Sequence, residues 1–236
     1  MISKRILVLA NSIHDRGLRC VAGRELIIEE TGQMRWGGWI RPVSTHDEGA
    51  LHVGEQRLAD ATDPEPLDVV QVPLSAPANH PLQPENWLIQ TGQAWTRESY
   101  FDTQVLLPLV EEPDSLWMDP VQRNDWASAA VLQRLPNFQS LYLIRPETFH
   151  FQVRTKFREG SSEKQVRGLF TYKGRPYDFA LADPLIGKKY FPDFPGTPEG
   201  DIRPSHRGRI FLCVSLTPPF RELPYKVIAT VLEFPA

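Results

Sequence analysis

Long apolar runs are what this chain of 236 residues most plainly lacks. No stretch approaches the roughly 20 apolar residues that a membrane-spanning helix requires. Met1-Ile2-Ser3-Lys4-Arg5 leads into a short apolar run without a small-residue cleavage site behind it, so the expectation is a cytoplasmic protein with no membrane partner. Cysteine is almost absent too. Cys20 and Cys213 both lie inside strand-like apolar runs and read as small buried hydrophobes rather than as a disulfide. Long helices are excluded by 22 prolines, many of them closely spaced, as in Pro64-Glu65-Pro66 and Pro218-Pro219.

The usual catalytic signatures are missing as well. There is no Gly-x-x-x-x-Gly-Lys-Ser/Thr loop and no Gly-x-Gly-x-x-Gly turn, the two common cradles for phosphate. No Gly-x-Ser-x-Gly elbow presents a nucleophilic serine. His46, His52 and His80 lie near Asp47, Glu48 and Glu85, but their spacing matches neither a helical ligand pair nor a Cys/His knuckle. The carboxylates around 111 to 119 have no lysine beside them, as a metal-dependent nuclease would need. The expectation is no catalytic residue, no metal and no cofactor. A hydrolase using His46, His52 or His80 with Glu85 is the remaining enzymatic alternative.

What the chain does have is β-forming sequence and an uneven charge. Residues 42 to 149 hold five Lys/Arg against sixteen Asp/Glu, whereas residues 150 to 226 hold fourteen against eight. A basic C-terminal part of this kind attracts phosphate, and an acidic middle repels it. Alternating or β-branched runs predict ten strands, near 4–11, 18–29, 34–43, 67–74, 138–145, 149–157, 165–173, 176–182, 208–216 and 225–234. One helix is expected from Asp119-Pro120-Val121 to Leu135, ended by Pro136. Ten strands are enough for two five-stranded barrels. Two stretches read as loops: His80 to Ile89 as an ordered lid on the first barrel, and Phe191 to Gly200 as a Pro/Gly-rich connection or ligand clamp. No internal sequence repeat is visible.

The most suggestive pattern is Phe149-His150-Phe151-Gln152-Val153-Arg154-Thr155-Lys156-Phe157-Arg158. Strand alternation puts Arg154, Lys156 and Arg158 on one face and predicts Phe149, Phe151, Val153 and Phe157 buried on the other. Arg167, Tyr172 and Lys173 follow on the next strand. Cations that track a phosphate backbone beside rings that stack on bases are how OB folds commonly hold single strands. The alternative is that the aromatics are core and the cations keep an edge strand soluble.

Several segments resemble, in matching order, the bacterial dual OB-domain family. They are Arg5-Ile6-Leu7-Val8-Leu9-Ala10-Asn11-Ser12, Arg19-Cys20-Val21-Ala22-Gly23, Gly37-Gly38-Trp39-Ile40-Arg41-Pro42-Val43-Ser44, Pro84-Glu85-Asn86-Trp87, Tyr172-Lys173-Gly174, Ala182-Asp183-Pro184 and Leu212-Cys213-Val214-Ser215-Leu216. The resemblance implies a mainly β protein of two small OB-like barrels with a short connecting helix, residues 1–136 and 137–236. It implies nucleic-acid or nucleotide recognition, as a sensor or adaptor in a defence-type assembly with a partner effector protein. Among its motif residues, Arg19, Trp39, Arg41, Glu85, Asn86, Trp87 and Asp183 are the polar or aromatic positions best able to contact a ligand. The expected nucleic-acid-binding residues are Arg154, Lys156, Arg158, Arg167, Tyr172, Lys173, Trp39 and Arg41, with single strands favoured. A protein-interaction scaffold that docks a neighbouring enzyme through the acidic middle is the competing reading.

Overall fold

A computed structural model describes residues 2–13, 17–46, 49–117, 125–128, 132, 134–135, 138–158, 160–204, 209–220 and 223–234. The helix expected from 119 to 135 lies mostly outside the described residues. The chain forms two compact units, Met1–Leu109 with Gln139–Leu141, and Val110–Phe138 with Tyr142–Ala236.

The first unit contains β1 (Ile2–Ile13), β2 (Arg19–Ile28), β3 (Met34–Val43), β4 (Asp68–Pro77), β5 (Asn86–Ile89) and β6 (Thr96–Tyr100). β1, β2 and β3 form an antiparallel meander. β3 then runs parallel to β5, with Arg41 opposite Asn86. β5 pairs antiparallel with β4, which returns to β1 with Val70 opposite Ile6, and the five strands close into a barrel. β6 continues the edge of β4 from Asp68 to Gln71, where β5 no longer pairs with it.

Closure follows from sequence that feeds the interior from every strand. Ile6, Val8, Val21, Ile40, Val70, Val72, Leu74 and Ile89 form one buried cluster with Leu51, Leu58 and Trp95. Burying each such aliphatic contributes about 1.5–3 kcal/mol. An irregularity between Val8 and Ala10 adds Leu9 to β1, a bulge of the kind that lets a strand curve around a barrel. The segment 80–89, expected as a lid, supplies β5 instead. Its short aromatic–aliphatic run Asn86-Trp87-Leu88-Ile89 is the strand that links β3 to β4.

The second unit contains β7 (Leu141–Ile144, its first residue counted with the first unit), β8 (Thr148–Arg158), β9 (Ser161–Tyr172), β10 (Arg175–Leu181), α1 (Pro184–Tyr190), β11 (Gly200–Ile202), β12 (Arg209–Phe220) and β13 (Leu223–Phe234). Their order in the sheet is β11-β8-β9-β10-β13-β12-β7. The inner five, β8-β9-β10-β13-β12, repeat the order β1-β2-β3-β5-β4 of the first unit, including its parallel pair, here β10 with β13. Two units that share no sequence repeat thus share one strand topology. The second differs in its edge: β11 pairs with β8 from Gly200↔Val153 to Ile202↔Phe151, along the edge by which the corresponding β1 closes the first barrel. The Pro/Gly-rich connection expected to be a loop therefore joins a ladder at its last residue, Gly200.

α1 starts where its sequence dictates. Asp183 is the N-cap, its Oδ1 accepting from the N–H groups of Leu185 at 2.9 Å and Ile186 at 3.1 Å, and Pro184 occupies the first turn. Lys188 and Lys189 sit in the last turn, on the side the helix dipole favours. The other oxygen of Asp183 accepts from Val231 N–H of β13 at 2.9 Å. Burial raises the Asp183 carboxyl pKa against these donors. A residue expected to be free for a ligand is thus a pin between helix and sheet.

Candidate nucleic-acid interface

β8 and β9 pair without interruption from Thr148↔Thr171 to Arg158↔Ser161. Near the start of β8 the ladder carries core: Phe151 and Val153 are buried, and Phe149 and Phe151 meet edge to face at 4.8 Å between centroids. From Arg154 onward no described side chain is buried, on either strand, until β9 reaches Arg167. This end is a two-stranded ribbon standing clear of the core, turned at Gly160 with φ +78°.

Phe157 is where the sequence expectation fails. Predicted as core by alternation, it is 80% exposed: its ladder partner is Ser162, and among the described residues no buried side chain of either strand lies at that end of the ribbon. Lys156 precedes it, partly exposed and opposite Glu163, and Arg158 ends the strand opposite Ser161. Arg154 lies at the base of the ribbon, with Nη2 2.8 Å from Asp178 Oδ2. Lys164 donates to the Thr197 carbonyl at 2.8 Å, Thr155 bonds Glu199, and Gln152 donates to Asp201 at 2.9 Å. These contacts fasten β11 and the connection before it along β8 and β9.

The other nominated residues are built into the fold. Arg167 is 3% exposed: Nε and Nη2 donate to Oδ1 and the carbonyl of Asp178, both at 2.7 Å, and Nη1 donates to Asp125 Oδ2 at 2.8 Å. Tyr172 is 5% exposed and its hydroxyl donates to the Pro113 carbonyl at 3.0 Å. Burial, with Glu112 next, pushes the Tyr172 phenol pKa well up, so it stays neutral. Lys173 occupies the β9–β10 turn with φ +49° and donates to the Glu112 carbonyl at 2.8 Å, with Asp114 Oδ1 at 3.7 Å. Trp39 and Arg41 belong to the first unit and are 6% and 3% exposed. Arg24 lies 5.8 Å from the Trp39 ring, and Arg41 N–H donates to the Glu85 carbonyl at 2.9 Å. Arg167, Tyr172, Trp39 and Arg41, expected on an open face, are thus buried instead. Phe157, which alternation assigned to the interior, is offered to solvent. Its own neighbours carried a signal: a phenylalanine between Lys156 and Arg158, three residues before a glycine turn, sits where a hairpin runs out of core.

Arg167→Met should cost about 2–3 kcal/mol of stability, below the range for a fully buried pair because Asp125 and Asp178 keep access to water. The salt dependence of any nucleic-acid binding should be unchanged. Denaturant unfolding and a salt titration of binding check the two halves separately.

The residues of the enzymatic alternative lie in the first unit. His46 and His52 meet edge to face at 5.9 Å, and Glu85 is buried, its Oε1 accepting from Ser140 N–H at 2.9 Å and Ser140 Oγ at 2.7 Å. Burial holds the His80 pKa down, with Arg41 next in the same direction and Glu85 opposing them. Among the described residues no group of three His, Cys, Asp or Glu side chains is placed to hold a metal. Neither cysteine is in a disulfide, and burial pushes the Cys20 thiol pKa up.

A closed barrel in the order β1-β2-β3-β5-β4, with one parallel pair, and a second sheet repeating that order define a protein of the OB class, whose members generally bind nucleic acids or other oligomers. The chain belongs to the dual OB-containing domain family, whose sequence model matches residues 4–231. No curated protein and no solved structure gives a significant match to it. No helix among the described residues is long and apolar enough to cross a membrane.

Proposed function

We propose that the protein is a non-enzymatic binder of single-stranded nucleic acid that uses the end of the β8–β9 ribbon, with Phe157 as the stacking platform. The observation that carries this reading is the 80% exposure of Phe157 between Lys156 and Arg158. An exposed phenylalanine loses the burial energy that normally keeps such a side chain inside. A base stacked on it restores that energy, while the flanking cations follow the phosphates. Stacking requires an accessible base face, which a single strand has and a duplex hides. The resemblance to the family adds the expectation of a sensor or adaptor role in the cytoplasm, in a defence-type assembly, with a partner effector protein reading out the bound strand.

Fluorescence anisotropy of labelled single-stranded RNA, single-stranded DNA and duplex DNA, each at two salt concentrations, tests the proposal. Single strands should bind more tightly than duplex, and binding should weaken as salt rises, with a log–log slope of about −0.7 per neutralised phosphate. Equal affinity for duplex and single strands would remove the stacking role of Phe157.

A further inference from the structure

The β2–β3 hairpin of the first unit ends in apolar surface that strand binding at the ribbon does not use. β1 pairs with β2 only as far as Glu25, and β3 pairs with β5 only at Arg41, Pro42 and Val43. From Leu26 to Trp36, therefore, no other described strand pairs with the hairpin. A register shift marks where it leaves the barrel: Arg24 faces Trp39 but Leu26 faces Trp36, leaving Gly37 and Gly38 opposite Glu25. The turn is tied by Glu29 N–H to the Gln33 carbonyl at 2.9 Å and by Gly32 N–H to the Glu29 carbonyl at 2.8 Å.

Strand alternation places Leu26 and Ile28 on one face, opposite Trp36 and Met34. Along that face burial runs out. Leu26 is buried, Trp36 is half-buried with its ring 5.9 Å from that of Phe101, and Ile28 and Met34 are 46% and 58% exposed. Two large apolar side chains directly opposite one another in solvent, continuous with Trp36, form a patch rather than isolated exposures.

The charge around this patch selects its partner. Residues 25–35 hold three Glu against one Arg, with Glu29 paired to Arg35 at 3.1 Å and Glu30 exposed in the turn. Such a rim repels phosphate, which disfavours a nucleic acid. It disfavours a second hairpin for the same reason, since two-fold pairing sets carboxylates against carboxylates. The matching surface is on the chain itself. Residues 154–164 of the ribbon hold four Lys/Arg against two Glu, and Phe157 stands 80% exposed among them. Met34 suits an incoming ring, because a thioether is flexible and makes favourable contacts with aromatics.

We propose that the ribbon end of one molecule docks on the β2–β3 hairpin of a second copy, Phe157 against Ile28, Met34 and Trp36, with the ribbon cations facing Glu29 and Glu30. The contact joins two different surfaces, so it is head-to-tail. Two hairpin ends bury less than the roughly 1,200 Å² of a stable complex, which sets a Kd of about 0.01–1 mM. Phe157 held by a second molecule is withdrawn from a strand, so self-association and strand binding exclude each other. The contact itself does not depend on nucleic-acid binding.

Sedimentation velocity of the full-length protein, free of nucleic acid, over about 0.01–1 mM tests this. The sedimentation coefficient should rise with protein concentration, and the rise should shrink at high salt. Ile28→Ser with Met34→Ser disables the hairpin, and Phe157→Ala with Lys156→Glu disables the ribbon. Each variant alone should associate at least tenfold more weakly. Mixed in equal amounts they should regain association but stop at a dimer, because the intact ribbon of one meets the intact hairpin of the other while their remaining surfaces are disabled. Strand binding is a separate readout: the hairpin variant, its ribbon intact, should retain it, and a failure of strand binding in the unmodified protein leaves the sedimentation result standing. Glu30→Lys, exposed in the turn, replaces the hairpin variant if that one does not fold. A monomer at every concentration overturns the proposal, as does association unchanged in either variant, or a mixture that regains nothing.

Discussion

Phe157→Ala combined with Lys156→Glu is expected to weaken single-strand binding by about two orders of magnitude while leaving thermal unfolding almost unchanged. Stacking a base on an exposed ring contributes about 1–3 kcal/mol, which corresponds to roughly 5- to 150-fold in affinity. Reversing the charge at 156 removes a phosphate partner and places a second carboxylate opposite Glu163. The cost to folding is small because Phe157 is 80% exposed and its truncation leaves no cavity. Anisotropy titrations and melting curves on the same preparations check both statements. A variant that binds normally removes the ribbon from the account, and one that melts early shows that Phe157 has a packing role.

Gly23→Ala should have the largest effect on stability, at least about 3 kcal/mol, the upper part of the range for overpacking. A methyl group at this position would stand 2.1 Å from the Leu7 carbonyl oxygen and 2.8 Å from its carbon. Both are backbone atoms of β1, so no rotamer change relieves the clash and the β1–β2 ladder must part beside its bulge. That ladder is part of the ring that closes the first barrel. Gly38→Ala is the control, since nothing lies within 4 Å of its added carbon. Denaturant unfolding of the two variants should separate them clearly, and equal midpoints would mean that the β1–β2 approach is not what constrains residue 23.

The elements that local sequence pattern specifies were legible. All ten expected strands correspond to strands of the fold, because alternation and β-branched content report directly on a half-buried pleated surface. The three strands not foreseen, β5, β6 and β11, have four, five and three residues. They are defined by what they pair with rather than by periodicity of their own, and β5 is as necessary to the barrel as any longer strand. The site was harder to read for a related reason. Alternation tells which side chains share a face, but not where along a ladder the core ends. It therefore assigned Phe157 to the interior with Phe151 and Val153, six and four residues before it on the same face. It also gave no sign that Asp178 and Asp125 would meet Arg167, 11 and 42 residues away in sequence. The cations were countable from the sequence; which of them are neutralised is a property of the tertiary fold. Of the motif residues of the family resemblance, Asp183 caps a helix and Arg41 is buried on β3 opposite Asn86 of β5.

The most direct test of the ribbon assignment is photo-crosslinking of a single strand carrying a photoreactive base, followed by identification of the attached peptide. The account predicts crosslinks within 154–164, with Phe157 the principal site, and their loss in Phe157→Ala. Crosslinks confined to the first unit, or to second-unit peptides outside the ribbon, would contradict it.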